Sequence, residues 1–256
     1  MRRIPIVIAV LLATFALLTF QLNAQESEEV LHAPDGNVQG RLINIFVPPV
    51  KDAPFTSTVN AEWTRTLEDG SIQTQVNHHL LVRDRAGRIF QERRTLVPKY
   101  GTRESEVFRI EISDPERHKK YFCDVKARRY ALHDYFVPAK IPLPAAGFSD
   151  EGERFLSRED LGKSNVSGLD VTGTRETTTI NTGVIGNDRP ISITKEIWYS
   201  QQLGINLLVK RADPRHGTQT FTVTDIGLAD PDPKFFAVPA GFTVIDRREQ
   251  HKKGGD

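Results

Sequence analysis

From Thr56 to Val244 the chain is a succession of strand-length runs rich in Val, Ile, Thr, Phe and Tyr, broken every eight to fifteen residues or so by turn formers. This rhythm constrains the fold more than any other feature. Asp69-Gly70 separates Thr58–Leu67 from Ser71–Val82, and Asp84-Arg85-Ala86-Gly87 leads into Arg88–Val97. Asp114-Pro115-Glu116-Arg117 divides Val107–Ser113 from Lys120–Val125. Gly186-Asn187-Asp188-Arg189-Pro190 divides Thr177–Ile185 from Ile191–Tyr199. Gln201-Gln202-Leu203-Gly204 precedes Ile205–Arg211, and Asp213-Pro214-Arg215-His216-Gly217 precedes Thr218–Ile226. Such residues tolerate turn geometry, so neighbouring runs pair as hairpins. Parallel pairing would need crossovers of about a dozen residues or more, usually helical, and the spacing leaves no room for them. The expected fold is an antiparallel meander.

Alternation within the runs supports that reading. Ile191, Ile193, Ile197 and Tyr199 share one side of a strand, opposite Ser192, Thr194 and Glu196. Likewise Ile72, Val76, Leu80 and Val82 face away from Gln73, Gln75 and Asn77. A sheet built this way has an apolar face that something must cover. Helical segments are few. Ser149–Leu161 reads as one helix despite Gly152, with Asp160-Leu161-Gly162 as the turn after it. Pro231–Phe236 reads as a single turn capped by Asp230 and Asp232. Pro138–Gly147, rich in proline and alanine, reads as a loop. The class is mainly β, of α+β type, with few short helices.

The ends carry different signals. Met1-Arg2-Arg3 precedes an apolar run, Ile4–Phe20, and Leu22-Asn23-Ala24 ends in a small residue. A basic start, an apolar stretch and a small residue at the cut describe an export signal over residues 1–24, which places the mature protein in the periplasm or outside the cell. The alternative is a retained N-terminal membrane anchor, at the lower edge of spanning length. Residues 25–52 read as a flexible acidic lead followed by a short strand or arm at Leu42–Val47, closed by Pro48-Pro49. Residues 53–246 form one antiparallel β domain, and 247–256 are a charged, disordered tail. The single cysteine, Cys123, allows no internal disulfide and reads as a small buried hydrophobe. With a formal net charge of only +1, nothing points to nucleic acid.

No catalytic, metal or cofactor constellation emerges. His78-His79 cannot grip one ion from a strand, since adjacent side chains point to opposite faces; His78, in register with Val76 and Leu80, reads as a core histidine. Gly162-Lys163-Ser164 resembles the end of a phosphate-binding loop, but Ser157 stands where its opening glycine belongs. There is no Gly-x-Ser-x-Gly elbow. Residues 83–129 hold fourteen Lys or Arg against eight acids. That excess suggests a basic edge or face, with Arg128 and Arg129 as its probe positions.

Toward the C terminus Pro231-Asp232-Pro233-Lys234-Phe235-Phe236-Ala237-Val238-Pro239-Ala240-Gly241-Phe242 closes the chain's last hairpins. A Phe followed by Val-Pro-x-Gly-Phe resembles the last element of the periplasmic lipoprotein-carrier-like (LolA/LolB-like) superfamily, and the likeness spans about Thr56 to Ile245. The resemblance implies a curved antiparallel sheet, an incomplete barrel, around an apolar cavity for acyl chains or a hydrophobic peptide. No carrier residue matches position by position, so lipoprotein transport itself is not implied. The resulting expectation is an exported, non-enzymatic protein that binds a lipid, lipoprotein or other apolar ligand. Its candidate lining is Trp63, Val76, Leu80, Ile193, Ile197, Tyr199 and Phe221. Two alternatives stand beside it: an interaction module presenting a sheet edge or basic face to a membrane-anchored protein partner, and an unrecognised hydrolase.

Overall fold

The computed structural model describes residues 31–35, 37–38, 41–136, 143–149 and 151–245. The expected signal segment, residues 25–30 of the lead, residues 138–142 of the expected loop and the C-terminal tail lie outside these. Two short strands, β1 (Asn37–Val38) and β2 (Arg41–Leu42), pair with each other. The others are β3 (Phe55–Thr66), β4 (Ile72–Arg83), β5 (Ile89–Arg94), β6 (Val97–Pro98), β7 (Val107–Asp114), β8 (Lys119–Asp124) and β9 (Arg129–Asp134). After these come β10 (Gly147–Phe148), β11 (Arg154–Val166), β12 (Leu169–Ile180), β13 (Ile191–Ser200), β14 (Ile205–Asp213), β15 (Gly217–Gly227) and β16 (Thr243–Val244). They make a single sheet in the order β10-β11-β12-β13-β14-β15-β3-β4-β5-β7-β8-β9-β16, with β6 attached to β4. Every pairing in it is antiparallel except that of β16 with β9. The sheet is curved and does not close into a barrel. Its centre is the long-range pair β15–β3, which joins the C-terminal meander to the N-terminal one.

Three local readings need correction. Ser149–Leu161 is not a helix: Gly152, at φ +67°, makes a turn, and β11 then runs along almost the whole of β12. Within β11 the pairing shifts between Asp160 and Gly162, where Gly162 takes φ +75° and its N–H donates to Asp160 Oδ1 at 2.7 Å. Asp160-Leu161-Gly162 is therefore a bulge, the one-residue insertion glycine permits, and not the end of a helix. Only Asp232 caps the 3-10 turn Pro233–Phe236, accepting from Lys234 N at 2.9 Å; Asp230 instead receives Arg85 Nε at 3.0 Å.

The two faces are covered differently. Against the concave face lies an apolar cluster that includes Phe55, Val59, Leu81, Ile197, Val209 and Val223, all buried. A smaller cluster on the convex face, Val82, Phe90 and Ile112, is sealed by Phe235 and Phe236 of the 3-10 turn. Cys123 is buried and alternates with Phe122 along β8, so it faces away from the concave side. Burial raises its thiol pKa to about 11, as expected of an inert structural cysteine.

The β14–β15 turn is a rigid point. Asp213, whose side chain is wholly buried, accepts from Arg215 N and Nε at 3.0 Å each and from Arg211 Nη2 at 2.8 Å. Gly217 closes this turn at φ +86°, and a Cβ there would strike the Thr64 carbonyl oxygen and approach Arg65 Cβ to 2.9 Å. Gly217→Ala is expected to lower stability by roughly 2–4 kcal/mol through backbone strain and overpacking. The check is the urea midpoint, with the far-ultraviolet circular dichroism of the folded protein unchanged.

Candidate functional site

The concave face is not bare. Residues 31–35 and 41–49 lie across it as an arm that includes the paired strands β1 and β2, and Leu42, Ile45 and Val47 join the buried cluster beneath. Side chains of the sheet hold this arm. Asn206 on β14 donates from Nδ2 to Ala33 O at 2.8 Å and accepts from Ala33 N at 3.1 Å. Gln219 on β15 does the same for Leu42, at 3.1 and 3.0 Å. Asn44 Nδ2 donates to Gln91 Oε1 at 2.8 Å, and Arg93 Nη1 donates to Ile43 O at 3.2 Å. At the far end Arg83, 0% exposed, binds three carbonyls: Ala53 at 2.9 Å, Pro48 at 3.0 Å and Leu203 at 2.7 Å. Its guanidinium also stacks 5.0 Å from the Phe55 ring centre. Burial lowers its pKa to about 10, which leaves it charged at neutral pH.

Beside the arm an open groove of about 390 Å³ remains on the concave side of β3, β4, β5 and β7. Its apolar wall includes Trp63, Leu96, Phe108 and Phe221. Trp63 is fixed by its Nε1 donating to His216 O at 2.8 Å, and the Arg41 guanidinium sits 5.4 Å from its ring centre. The polar wall is a cluster around Glu111, buried on β7. Arg93 grips its carboxylate with Nε at 3.0 Å and Nη2 at 3.3 Å, Lys120 Nζ lies at 3.2 Å and Arg109 Nη1 at 3.9 Å. Burial works to raise the Glu111 pKa, but the bonds and charges of Arg93 and Lys120 hold it below the usual value. Arg41, Arg93, Arg94 and Arg109 line the groove against Glu62, Glu92 and Glu111, which leaves one cation in excess.

The cross-strand registers sort the residues expected to line a ligand site. Trp63 lies opposite Gln219, Phe221 opposite Ala61, and Ile197 opposite Val209, all on the concave face with Ile193 and Tyr199. Only Trp63 and Phe221 among them border the groove. Val76 and Leu80 lie on the other face of β4; Leu80 packs with Val82 and Phe90. The same correction applies to the histidines: His79, opposite Val59, is the buried one, and His78 is exposed. The signal that misled is the convex cluster. β4 is covered on both sides, so alternation alone does not say which side is concave.

Acids from outside 83–129 meet part of its basic excess: Arg85 meets Asp230 at 3.0 Å, Lys99 meets Glu62 at 2.7 Å and Lys119 meets Asp134 at 2.7 Å. Arg88 and Arg94 pair within the stretch, with Asp84 and Glu92. Arg128 and Arg129 are exposed where the chain enters β9, with Arg128 Nη2 3.4 Å from Ala240 O.

No protein-family model matches the sequence, nor does any curated protein. Among solved structures, an uncharacterised conserved protein of Thermus thermophilus aligns over 76% of this chain and 91% of its own, with 8% identity and a TM-score of 0.39. The MucA/MucB complex of Pseudomonas aeruginosa aligns over 74% of this chain at 14% identity and a TM-score of 0.37; the match spans 57% of that chain. A Bacteroides fragilis protein of YmcC-like fold aligns over 72% of this chain and 99% of its own, at 13% identity and a TM-score of 0.27.

His79 and Glu176 are two of the buried ionisable groups through which the concave face responds to acid. Burial, aided by Arg93, Arg94 and His78, lowers the His79 pKa to about 4. Glu176 on β12 is 2.8 Å from Arg158 Nε and 3.4 Å from His32 Nε2 of the arm. Burial works to raise its pKa, yet hydrogen bonds from His32 and Arg158 and the charge of Lys195 lower it to about 2. Both folded pKa values lie below the unfolded ones, so protons favour the unfolded chain. Stability is therefore complete above about pH 6.5, declines toward pH 4 as His79 resists protonation, and declines further below about pH 4.5 through Glu176. His79→Gln is expected to flatten only the upper window, by up to roughly 3 kcal/mol. Urea midpoints across the pH range check this.

Proposed function

We propose that the protein binds an anionic amphiphile non-covalently in the groove beside the arm. One observation carries the reading: a single concavity joins an apolar wall at Trp63, Leu96 and Phe108 to a polar wall where Arg93 and Arg109 stand beside Glu111. Its size falls within the range of small-ligand sites, and a few placed polar groups in a mostly apolar pocket are what orient such ligands. A fatty acid or the acyl end of a lipid with an acidic head meets both walls; a neutral hydrocarbon meets only one. The export signal read in residues 1–24 supports an envelope setting, where such molecules are available.

The proposal is of binding without chemistry. In the groove the imidazole of His79 is buried and uncharged at neutral pH, and the groove's buried acid, Glu111, is committed to cations. The thiol of Cys123 faces the other side of the sheet.

Titration with a dansyl-labelled undecanoic acid is expected to give a blue shift and saturation, with displacement by oleate and weaker displacement by oleyl alcohol. Arg109→Glu should weaken oleate by about tenfold, the order expected for losing one charge-assisted contact. In a Trp198→Phe background, which leaves Trp63 as the only tryptophan, its emission should move on binding. Absence of dansyl binding, or equal displacement by oleate and oleyl alcohol together with an unaffected Arg109→Glu, rejects the reading.

A further inference from the structure

The arm's own seat makes a different demand from the open groove. Asn206 and Gln219 are 1% and 5% exposed, and each presents an amide N–H and an amide oxygen to one residue of the arm, bonding that residue's carbonyl and its N–H together. Such a paired contact reads a peptide backbone and ignores the side chain attached to it. An acyl chain has no groups to return. With lipid in this seat, both buried amides would be stranded without partners, a desolvation cost the fold does not otherwise carry. The seat is chemically a site for polypeptide.

Three further features make its present occupant removable. Among the described residues, 31–49 form no backbone-to-backbone hydrogen bond with the large sheet, so the arm can leave with every strand pairing intact. Its buried apolar side chains are few, Ala33, Leu42, Ile45 and Val47, while Ile43 is 51% exposed. The arm joins β3 through Pro48-Pro49 and a turn at Val50–Asp52 that stays anchored by Arg83 and by Asp52 N donating to Arg85 O at 2.9 Å, so the arm can lift from its Leu31 end without drawing on β3.

We infer that the arm seat is a receptor site for an extended polypeptide segment bearing apolar side chains at the spacing of Leu42, Ile45 and Val47. The chain's own arm fills it as an internal competitor. A segment from another protein that meets the same clamps displaces the arm and takes the bonds of Asn206 and Gln219. This does not depend on what occupies the open groove: the two sites bind different chemistry, and either could exist alone.

The test uses the full chain and a fluorescein-labelled synthetic peptide with the sequence of residues 31–50. Fluorescence anisotropy should show weak binding to the unaltered protein, because the tethered arm competes. Ile45→Asp, which loosens the arm, should bind the peptide at least about tenfold more tightly. Adding Gln219→Ala to that variant should cost at least about tenfold, and a peptide with Asp at the three apolar positions should not bind. Hydrogen exchange on the unaltered protein gives a second readout that no variant's folding can confound: excess unlabelled peptide should accelerate exchange in residues 31–47 and leave β3 and β15 protected. The inference is overturned if saturating peptide leaves that exchange unchanged, or if a folded Ile45→Asp chain fails to bind peptide. It is equally overturned if oleate, and not peptide, releases the arm.

Discussion

A curved sheet with an apolar inner face must bury that face, and this chain has no α-helix among its described residues with which to do it. The cover is instead an extended segment, and an extended segment brings unpaired N–H and C=O groups into the interior. Each must find a partner there. The polar side chains on the concave face answer that need. Arg83 is the extreme case: a wholly buried cation held by the carbonyls of Pro48, Ala53 and Leu203. It ties the arm, the entry to β3 and the β13–β14 turn to one guanidinium, whose fork of donors suits this work better than an ammonium would. The interior of this protein is thus organised around solvating an arm.

That arrangement accounts for the shape of the groove. The arm runs from contacts on β12 and β14 to contacts on β4 and β5, and the opening is bounded by its residues Arg41, Leu42 and Ile43 on one side and by Arg93, Arg109 and Glu111 on the other. Because Arg93 bonds both Glu111 and Ile43 O, the position of the arm and the charge of the groove wall are coupled through one side chain.

Much of this was legible in the sequence, for local reasons. The hairpins around Asp69-Gly70 and Gln201–Gly204 follow from turn residues and alternation, and those strands lie within three residues of the expected bounds. Other features depend on partners far away in the chain. Arg154–Val166 has weak alternation and becomes a strand because β12 is there to pair with it. Arg129–Asp134, with charges at both ends, carries no signal of its own and is held between β8 and β16. In the sequence His79 looks like half of a metal pair, and Arg83 like one charge in a basic stretch. Arg83 takes its role from an arm carbonyl 35 residues upstream, which no local pattern can announce. The candidate site was the least readable part, since Gln219 and Asn206 look like ordinary strand polar residues until the arm lies across them.

The sheet ends in two very short strands, β10 at one side and β16 at the other, each of two residues. A long bare margin invites another chain to add itself to the ladder, and brief terminal strands remove that invitation. At the β9 margin the guard is the C-terminal segment itself, after it has crossed the convex face and sealed Phe90 with Phe235. The same stretch of chain therefore closes a hydrophobic patch and blunts an adhesive border, so colloidal behaviour and core integrity are joined in one short piece of the molecule.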